Sequence, residues 1–427
     1  MIGSLFKRKI TGDLVFVYLA FFANFIFPII TIPFLSRTLG SDGWGRLAFV
    51  QAFCQLLGVP LAWGFGFHGT RLVARFRDDK EKVSNICAEI TLARILLLLP
   101  VSIVLVVCLV TMTGLRQDLR LPLFGFATVA ANAFSAAWIL QGLDKMRSLS
   151  IFDFAAKFLT TALIFVFISS PNDAYIVLLL QTVGALLSLV LCYWIIAKEI
   201  RIKLSVTRNL FTIYKESFNL FLFNLSGCVL NQTNAFLIGL FVPLQTVGIY
   251  AGAEKIIRTA GSLVGPFCTI LHTKINYRLA SDRSGAARIF VFGTLALLVA
   301  ALALAAVLWF GSDLIVSLLL GPQFHESAKI VRFLAFLPVL QWLSYSINLN
   351  WFIVLHLDRM LNLCICFAAV VTVVATCILV PLYSLSGMAW AVLLAESAML
   401  GALISAMILT KQNPLTIAFP HRKVTCC

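Results

Sequence analysis

The chain has 427 residues, of which 61% are hydrophobic and 12% are charged, and its mean hydropathy is +0.98. Water-soluble globular proteins carry roughly 45–50% apolar and about 25% charged residues, so this composition excludes a soluble globular protein. The formal net charge of +15 is high enough to raise nucleic-acid binding as an alternative.

Twelve apolar stretches follow one another along the chain, and each is long enough to cross a membrane as a helix. The hydrocarbon core of a bilayer is ~30 Å thick, so one helical span needs ~20 mostly apolar residues. The stretches cover residues 14–35, 44–67, 86–111, 121–142, 151–170, 174–197, 217–242, 247–271, 289–310, 330–355, 361–381 and 386–409. They are too uniformly apolar for barrel strands, which alternate lipid-facing and lumen-facing residues. The sequence therefore predicts an all-α, polytopic membrane protein with about twelve transmembrane helices.

The basic residues lie mostly on one side of the predicted spans. With the N-terminus in the cytoplasm, the inner segments hold 23 Lys and Arg residues, and the outer loops with their edges hold five. Basic residues favour the cytoplasmic face during insertion, so this bias predicts that both termini are cytoplasmic. Because topology accounts for the positive charge, we expect no nucleic-acid partner.

The second half of the chain repeats features of the first half. An offset of 203 residues aligns Gly45 with Gly248, Gly58 with Gly261, Arg75 with Arg278 and Asp79 with Asp282. Six spans per repeat is an even number, so the halves are predicted to share one orientation, related by an axis along the membrane normal. We expect an N-terminal six-helix lobe over residues 1–207 and a C-terminal six-helix lobe with a short cytoplasmic tail over residues 208–427. Such lobes enclose a central cleft that opens to either side of the membrane in turn.

Several ionisable side chains fall inside the predicted spans. Such a side chain costs ~2.5–3.5 kcal/mol on insertion scales, so it usually faces a cavity or a partner. Asp153 and Lys157 are four residues apart, as are Glu254 and Arg258, and each pair can form a salt bridge on its own helix. For Asp153 and Lys157 this spacing leaves a structural ion pair and a role in ion coupling equally open.

The eighth span carries an excess of positive charge. Glu254, Lys255 and Arg258 supply two cations against one anion. In the third span, Arg94 has no acidic residue one helical turn away. Guanidinium groups bind phosphate well, so these residues predict an anionic cargo such as a phosphate or an acidic sugar. Glu254 and Glu396 are candidates for carrying a coupling proton.

Sequence features of catalysis and of cofactor binding are missing. The five histidines are scattered without metal-ligand spacing, and there is no phosphate-binding loop of the Walker type. The predicted outer loops are short, whereas an enzyme acting on glycans needs an outward-facing catalytic pair. We therefore predict a transporter with no catalytic residues, metal or cofactor, and keep a membrane-embedded glycan-modifying enzyme as the weaker alternative.

Five short motifs in order along the chain resemble those of a known family. They lie at Leu39–Phe49 (LGSDGWGRLAF), Gly69–Arg75 (GTRLVAR), Trp138–Gly142 (WILQG), Tyr250–Arg258 (YAGAEKIIR) and Leu320–Phe324 (LGPQF). The set resembles the Wzx-type O-antigen and exopolysaccharide flippases of the multidrug/oligosaccharidyl-lipid/polysaccharide exporter superfamily. Arg46, Lys255 and Arg258 occupy motif positions. At Phe67 and His68 the chain departs from the tyrosine that is frequent in the family, which leaves the sugar specificity open.

The resemblance implies a cargo and a mechanism. The cargo is an oligosaccharide repeat unit on undecaprenyl pyrophosphate, moved from the cytoplasmic to the periplasmic leaflet of the bacterial inner membrane. The product would be O-antigen, capsule or exopolysaccharide, with membrane lipids and the polysaccharide polymerase machinery as further partners. The mechanism would be alternating access, compatible with coupling to protons or sodium ions, with the head group bound in a cationic cavity by Arg46, Arg94, Lys255 and Arg258. The alternative in the same superfamily is a drug/cation antiporter, in which acidic cavity residues should outnumber basic ones.

Overall fold

The computed structural model describes residues 2–200 and 210–419, with side chains from residue 26 onward. Within these residues the chain forms α-helices joined by short turns, and it contains no β-strand. The α-helices are α1 Ile2–Ala62, α2 Phe65–Arg75, α3 Lys80–Thr111, α4 Thr113–Arg116, α5 Arg120–Ala133, α6 Ala137–Gly142, α7 Met146–Phe167, α8 Ala174–Glu199, α9 Leu210–Asn231, α10 Asn234–Gly239, α11 Leu244–Gly261, α12 Val264–Leu279, α13 Arg283–Phe310, α14 Ser312–Leu319, α15 Ser327–Leu334, α16 Leu337–Ile347, α17 Asp358–Leu409 and α18 Pro414–Ala418.

The two longest helices are each two helices joined at one residue with non-helical backbone. The break in α1 is at Gly40 (φ 66°, ψ −178°), and the break in α17 is at Ser384 (φ 50°, ψ −121°). A straight helix of the 52 residues of α17 would be about 78 Å long at 1.5 Å per residue. That length is more than twice the hydrocarbon core of a bilayer, so α1 and α17 each supply two spans.

The described helices can accommodate the twelve membrane spans that the sequence predicts. Within the described residues, seven helical segments are long and apolar enough to cross a membrane, and the bent pair Ser327–Leu334 and Leu337–Phe352 supplies an eighth candidate. Counting the two halves of α1 and of α17 separately raises this number to ten. The broken helices α9–α10 and α11–α12, which carry more polar residues, cover the two remaining predicted stretches. Most of each predicted stretch therefore lies in one helix or in consecutive helices.

Large apolar side chains cover the outside of the long helices. Leu99 is 70% exposed, Val166 is 73% exposed and Phe310 is 85% exposed. Soluble proteins rarely expose contiguous apolar surface on this scale, whereas lipid chains cover it at no cost. The exposed surface therefore has the character expected of a multi-pass membrane protein.

The repeat predicted from the sequence recurs in local structure at the start of α3 and of α13. The Asp79 carboxylate accepts a hydrogen bond from the backbone N–H of Lys82 at 3.1 Å, and Asp282 accepts one from Gly285 at 2.7 Å. A carboxylate in this position satisfies one of the N–H groups that a helix leaves unpaired at its first turn. The offset of 203 residues relates the two capping residues, Asp79 and Asp282, and also the two residues whose N–H groups they bind, Lys82 and Gly285.

The Asp79 cap predicts a pH-dependent contribution to stability. Hydrogen bonds from the side chain and the backbone of Lys82 lower the pKa of Asp79 from 3.8. The cap is thus complete above pH 3.8 and is lost as the pH falls through the lower folded-state pKa. We expect Asp79→Ala to lower the thermal midpoint at pH 7 by about 1–3 °C, and the difference from wild type to shrink towards pH 3. The neighbouring Asp78, which caps nothing, is the control, and an equal loss from Asp78→Ala would contradict the assignment.

Gly45 of α1 and Gly248 of α11 are equivalent in the repeat, and each packs against the backbone of the helix that carries the other. A Cβ atom on Gly45 would lie 1.8 Å from the Leu244 carbonyl oxygen, and one on Gly248 would lie 1.9 Å from the Ser41 carbonyl oxygen. Ser41 and Leu244 are themselves related by the offset of 203 residues, so the contact is reciprocal. Such a close approach of two backbones admits only glycine.

The chain divides into two compact units. The first unit contains Met1–Gly239 and Pro243–Gly248, and the second contains Leu240–Val242 and Ile249–Cys427. Helices α9 and α10 are grouped with the first unit, whereas the lobe boundary predicted between residues 207 and 208 assigns them to the second lobe. The division into two six-helix lobes at that boundary stays a prediction.

Candidate functional site

A buried group of charges lies in the second unit, between α11 and α17. The Arg258 guanidinium donates a hydrogen bond from Nε to Glu254 Oε1 at 2.8 Å, one turn away on α11. Glu254 and Glu396 are each only 8% exposed. The Arg258 guanidinium also interacts electrostatically with Glu396 of α17. Arg258 therefore interacts with two buried carboxylates, those of Glu254 and Glu396.

Polar residues of α11 and α16 support this group. Gln341 donates a hydrogen bond from Nε2 to Glu396 Oε1 at 2.9 Å. The Trp342 indole donates to the Gly261 carbonyl at 2.7 Å, which fixes α16 against the C-terminal end of α11. The Tyr250 hydroxyl is buried one turn before Glu254, with no hydrogen-bond partner in the part of the chain that the structure describes. The sequence prediction missed Gln341, although a lone amide in an apolar span is a usable signal.

Lys255 differs from Arg258 in its surroundings. Its side chain is exposed, and its ammonium group forms no hydrogen bond or ion pair within the described residues. Arg258, by contrast, is half-buried and bound to Glu254. Of the two cations predicted on this span, Lys255 is thus the one whose charge is available to an anion outside the protein.

Arg94 lies in the first unit, where it packs against a break in the fourth span. It is 4% exposed, its guanidinium lies over the Trp138 ring at 5.8 Å, and it donates to the Ser135 carbonyl at 3.5 Å. The Tyr193 hydroxyl donates to the neighbouring Phe134 carbonyl at 3.4 Å. The interruption between α5 and α6 leaves these carbonyls without helical partners, and the two side chains supply substitutes. Binding of cargo by Arg94 stays a prediction.

Arg46 pairs with an acidic residue of its own helix. Its guanidinium is 2.7 Å from the Asp42 carboxylate, and both side chains are more than one third exposed. Exposed pairs at this spacing contribute little to stability. Arg46 therefore remains accessible, and its predicted contact with cargo is untested.

Asp153 and Lys157 form the ion pair that their spacing predicts, with 2.5 Å between Nζ and Oδ2. The pair lies on α7 and lines a cavity of about 360 Å³ in the first unit. Other polar lining residues are uncharged, including Gln55, Asn132 and Gln181. The search of the sequence for charged residues did not single out these amides.

Groups suited to binding a metal ion are missing from the described chain. Among residues 2–200 and 210–419, no three or more His, Cys, Asp or Glu side chains lie together in such an arrangement. The buried charged group of the second unit instead contains one cation, Arg258, that interacts with the two carboxylates Glu254 and Glu396, and Lys255 follows Glu254 on the same helix. This arrangement is suited to binding anions at Lys255 and to exchanging a cation at the carboxylates.

Known proteins match the chain along most of its length. The family described as "Polysaccharide biosynthesis protein" matches residues 12–271. A Shigella dysenteriae protein named "Putative O-antigen transporter" is 23% identical over 393 residues, covering 90% of this chain and 96% of that protein.

Solved structures share the fold at low sequence identity. "Lipid II flippase MurJ, inward closed conformation" has a TM-score of 0.68 at 12% identity, covering 95% of this chain and 90% of that one. "Inward-facing conformation of a multidrug resistance MATE family transporter of the MOP superfamily" has a TM-score of 0.62 at 14% identity, covering 92% of this chain and 99% of that one. The predicted all-α, polytopic membrane fold is confirmed.

Proposed function

Because the chain belongs to the polysaccharide biosynthesis protein family, we propose that it is a flippase for lipid-linked oligosaccharides. The family resemblance predicted from the motifs is confirmed by this membership. The related proteins are transporters, so the prediction that the chain is a transporter and not an enzyme is confirmed as well.

The proposed cargo is an oligosaccharide repeat unit on undecaprenyl pyrophosphate. The O-antigen relative and the lipid II flippase neighbour support a glycan on a lipid carrier. The single observation that carries the pyrophosphate part is Lys255, an exposed cation in a membrane helix whose ammonium group makes no hydrogen bond or salt bridge among the described residues and has Glu254 and Arg258 as charged neighbours. An ammonium group binds phosphate oxygens as a strongly hydrated point charge, which suits a pyrophosphate that must later be released.

The proposed direction follows from the charge distribution of the sequence. Basic residues concentrate on one side of the predicted spans, and basic residues favour the cytoplasmic face during insertion, so we propose that both termini are cytoplasmic and that the membrane is the bacterial inner membrane. Repeat units built in the cytoplasm would enter from that side and leave into the periplasmic leaflet. Alternating access of two lobes to the two sides would carry out this exchange. The products would serve O-antigen, capsule or exopolysaccharide assembly by a polymerase.

The buried carboxylates are the proposed site of ion coupling. Glu254 and Glu396 are both buried and both interact with the Arg258 guanidinium, so two buried carboxylates share one buried cation. A proton or a sodium ion bound at Glu254 or Glu396 would neutralise the negative charge that Arg258 leaves uncompensated. Release of that ion on the other side of the membrane would then favour a different arrangement of α11 and α17. In the first unit the Asp153 carboxylate is already neutralised by Lys157. We therefore assign ion coupling to the carboxylates of the second unit.

A drug/cation antiporter of the same superfamily is the second candidate, and the presence of two buried carboxylates favours it. Such a protein would bind cationic drugs directly at Glu254 or Glu396. It would lower the susceptibility of its host to cationic dyes, and its loss would leave lipid-linked glycans unchanged.

Depletion of the protein in its host tests the proposed function. We expect undecaprenyl-pyrophosphate-linked repeat units to accumulate, to lie in the cytoplasmic leaflet, and to disappear again when wild-type protein is restored. The measurement is mass spectrometry of extracted lipids, with labelling of the periplasmic leaflet by a membrane-impermeant, sugar-oxidising reagent. Unchanged pools of lipid-linked glycan combined with dye sensitivity would support the antiporter instead.

A further inference from the structure

Two polar cavities adjoin each other in the first unit. One, of about 360 Å³, lies among α1, α5, α7 and α8, and the other, of about 410 Å³, lies among α1, α5 and α9. Gln55 of α1 and Asn132 of α5 line both cavities. The two cavities therefore form one continuous polar surface, which we call the amide cavity, and each part falls within the usual volume range of ligand sites.

Three of the amides that line this cavity have no protein partner: Gln55 and Asn132 on membrane helices, and Gln232 in the turn after α9. Gln55, Asn132 and Gln232 are exposed, and their side chains form no hydrogen bond within the described residues. Gln55 lies near the middle of the second span and Asn132 near the middle of the fourth. An amide that faces hydrocarbon without hydrogen bonds is strongly destabilising, so these groups must face water or a ligand.

The cavity is polar but carries no net charge. Its two charged lining residues, Asp153 and Lys157, neutralise each other at 2.5 Å. The part beside α9 is lined by no charged residue, and Asn224 and Gln232 add two more amides there. A cavity built for phosphate or for an acidic sugar would keep an uncompensated cation, as Lys255 does in the second unit.

Amides and hydroxyls suit a neutral carbohydrate. Each Asn or Gln offers two N–H donors and a carbonyl acceptor, which matches a sugar hydroxyl that both donates and accepts. Phe27 lines one part of the cavity and Phe223 the other, and an aromatic face packs well against the apolar C–H face of a pyranose ring. We propose that the amide cavity binds neutral sugars, either hexoses or acetamido hexoses, of the lipid-linked glycan. This proposal rests on the proposed function and assigns sugar recognition to a different unit from Lys255.

Gly227 keeps the α9 side of the cavity open. A Cβ atom added there would meet no atom within 4 Å, although Gly227 lines the cavity between Asn224 and Gln232. Glycine destabilises a helix interior relative to alanine, so its presence without any steric need indicates that the open space itself is used. A larger side chain at position 227 would narrow the cavity without disturbing the packing.

Binding of defined lipids to purified full-length protein tests the proposal. The probes are a short-chain prenyl pyrophosphate, the same lipid carrying one N-acetylglucosamine or one glucose, and the same lipid carrying one glucuronic acid. Wild-type protein should bind the better of the two neutral-sugar lipids about tenfold more tightly than the sugarless lipid. Gln55→Leu with Asn132→Leu should remove this tenfold gain, as should Gly227→Leu, and both should leave the affinity for the sugarless lipid unchanged. Gly401→Leu, on α17 where a Cβ also meets nothing within 4 Å, is the control.

The outcomes separate this proposal from the proposed function. If wild-type protein binds none of the lipids, the proposed function falls and the sugar site falls with it. If the sugarless lipid binds but neither neutral sugar adds affinity, or if the gain survives in the double variant and in Gly227→Leu, only the sugar site is overturned. A gain confined to the glucuronic acid lipid would likewise contradict a neutral-sugar site. Because a Cβ atom at Gly227 meets no atom within 4 Å, Gly227→Leu provides a second test if the double variant has a folding defect.

Discussion

Lys255→Glu is expected to reduce translocation of a prenyl-pyrophosphate-linked sugar at least about 100-fold while the protein inserts and folds normally. Two unit charges 4 Å apart interact with about 4 kcal/mol at an effective dielectric constant of 20, so reversing the charge beside a pyrophosphate has a large effect. The side chain is exposed and makes no ion pair within the described residues, so the fold does not depend on it. Lys255→Arg keeps the charge and should retain most of the activity. The measurement is the initial rate of translocation in proteoliposomes.

Arg258 requires a different experiment because its charge is already used inside the protein. Arg258→Ala would leave Glu254 and Glu396 buried without their cation, and loss of activity would then be inseparable from loss of stability. Exchanging the pair, with Glu254→Arg and Arg258→Glu together, keeps the ion pair on α11.

If Lys255→Glu transported at the wild-type rate, the assignment of the pyrophosphate to Lys255 would be wrong.

Gly45→Ala and Gly248→Ala are each expected to lower the amount of folded protein in the membrane severely. The added Cβ would lie 1.8–1.9 Å from a backbone carbonyl oxygen, about 1.5 Å closer than ordinary contact, and a backbone cannot rotate away. Overpacking of side chains costs about 1–3 kcal/mol, and an overlap with backbone should cost at least that much. The measurements are the yield of folded protein by fluorescence-detected size-exclusion chromatography and the thermal midpoint.

The control for the glycine contact is a glycine with open space beside it. Gly66 lies on α2 in the first unit, and a Cβ there would meet nothing within 4 Å. Gly66→Ala should be neutral or slightly stabilising, because alanine is the better helix former. Equal yields from Gly45→Ala, Gly248→Ala and Gly66→Ala would show that the two backbones do not need to approach so closely.

The fold was largely predictable because bilayer thickness constrains the sequence directly. Twelve apolar stretches of adequate length appear as helices, and the breaks at Gly40 and Ser384 fall between predicted spans. The repeat also predicted equivalent local structure, as the caps Asp79 and Asp282 show. It did not predict that Gly45 and Gly248 would contact each other, because an offset establishes which residues are equivalent and not which are neighbours.

The candidate site was predictable only in part, because its partners lie on different helices. Helical spacing identified the Glu254–Arg258 and Asp153–Lys157 pairs, which form within one helix. It gave no means of finding that Glu396 is hydrogen-bonded by Gln341, or that Arg94 donates to the Ser135 carbonyl on another span. Because the search for function followed ionisable residues, it also passed over the uncharged amides of the first unit.

Translocation in proteoliposomes tests the central claim, that this chain is a flippase for lipid-linked sugars, most directly. Purified protein is reconstituted with a fluorescent prenyl-pyrophosphate-linked N-acetylglucosamine in both leaflets, and a membrane-impermeant quencher is added outside. We predict that the quencher removes almost all fluorescence in proteoliposomes with wild-type protein, and only that of the outer leaflet in protein-free liposomes and with Lys255→Glu. Quenching limited to the outer leaflet with folded wild-type protein, across lipids carrying different sugars, would contradict the claim.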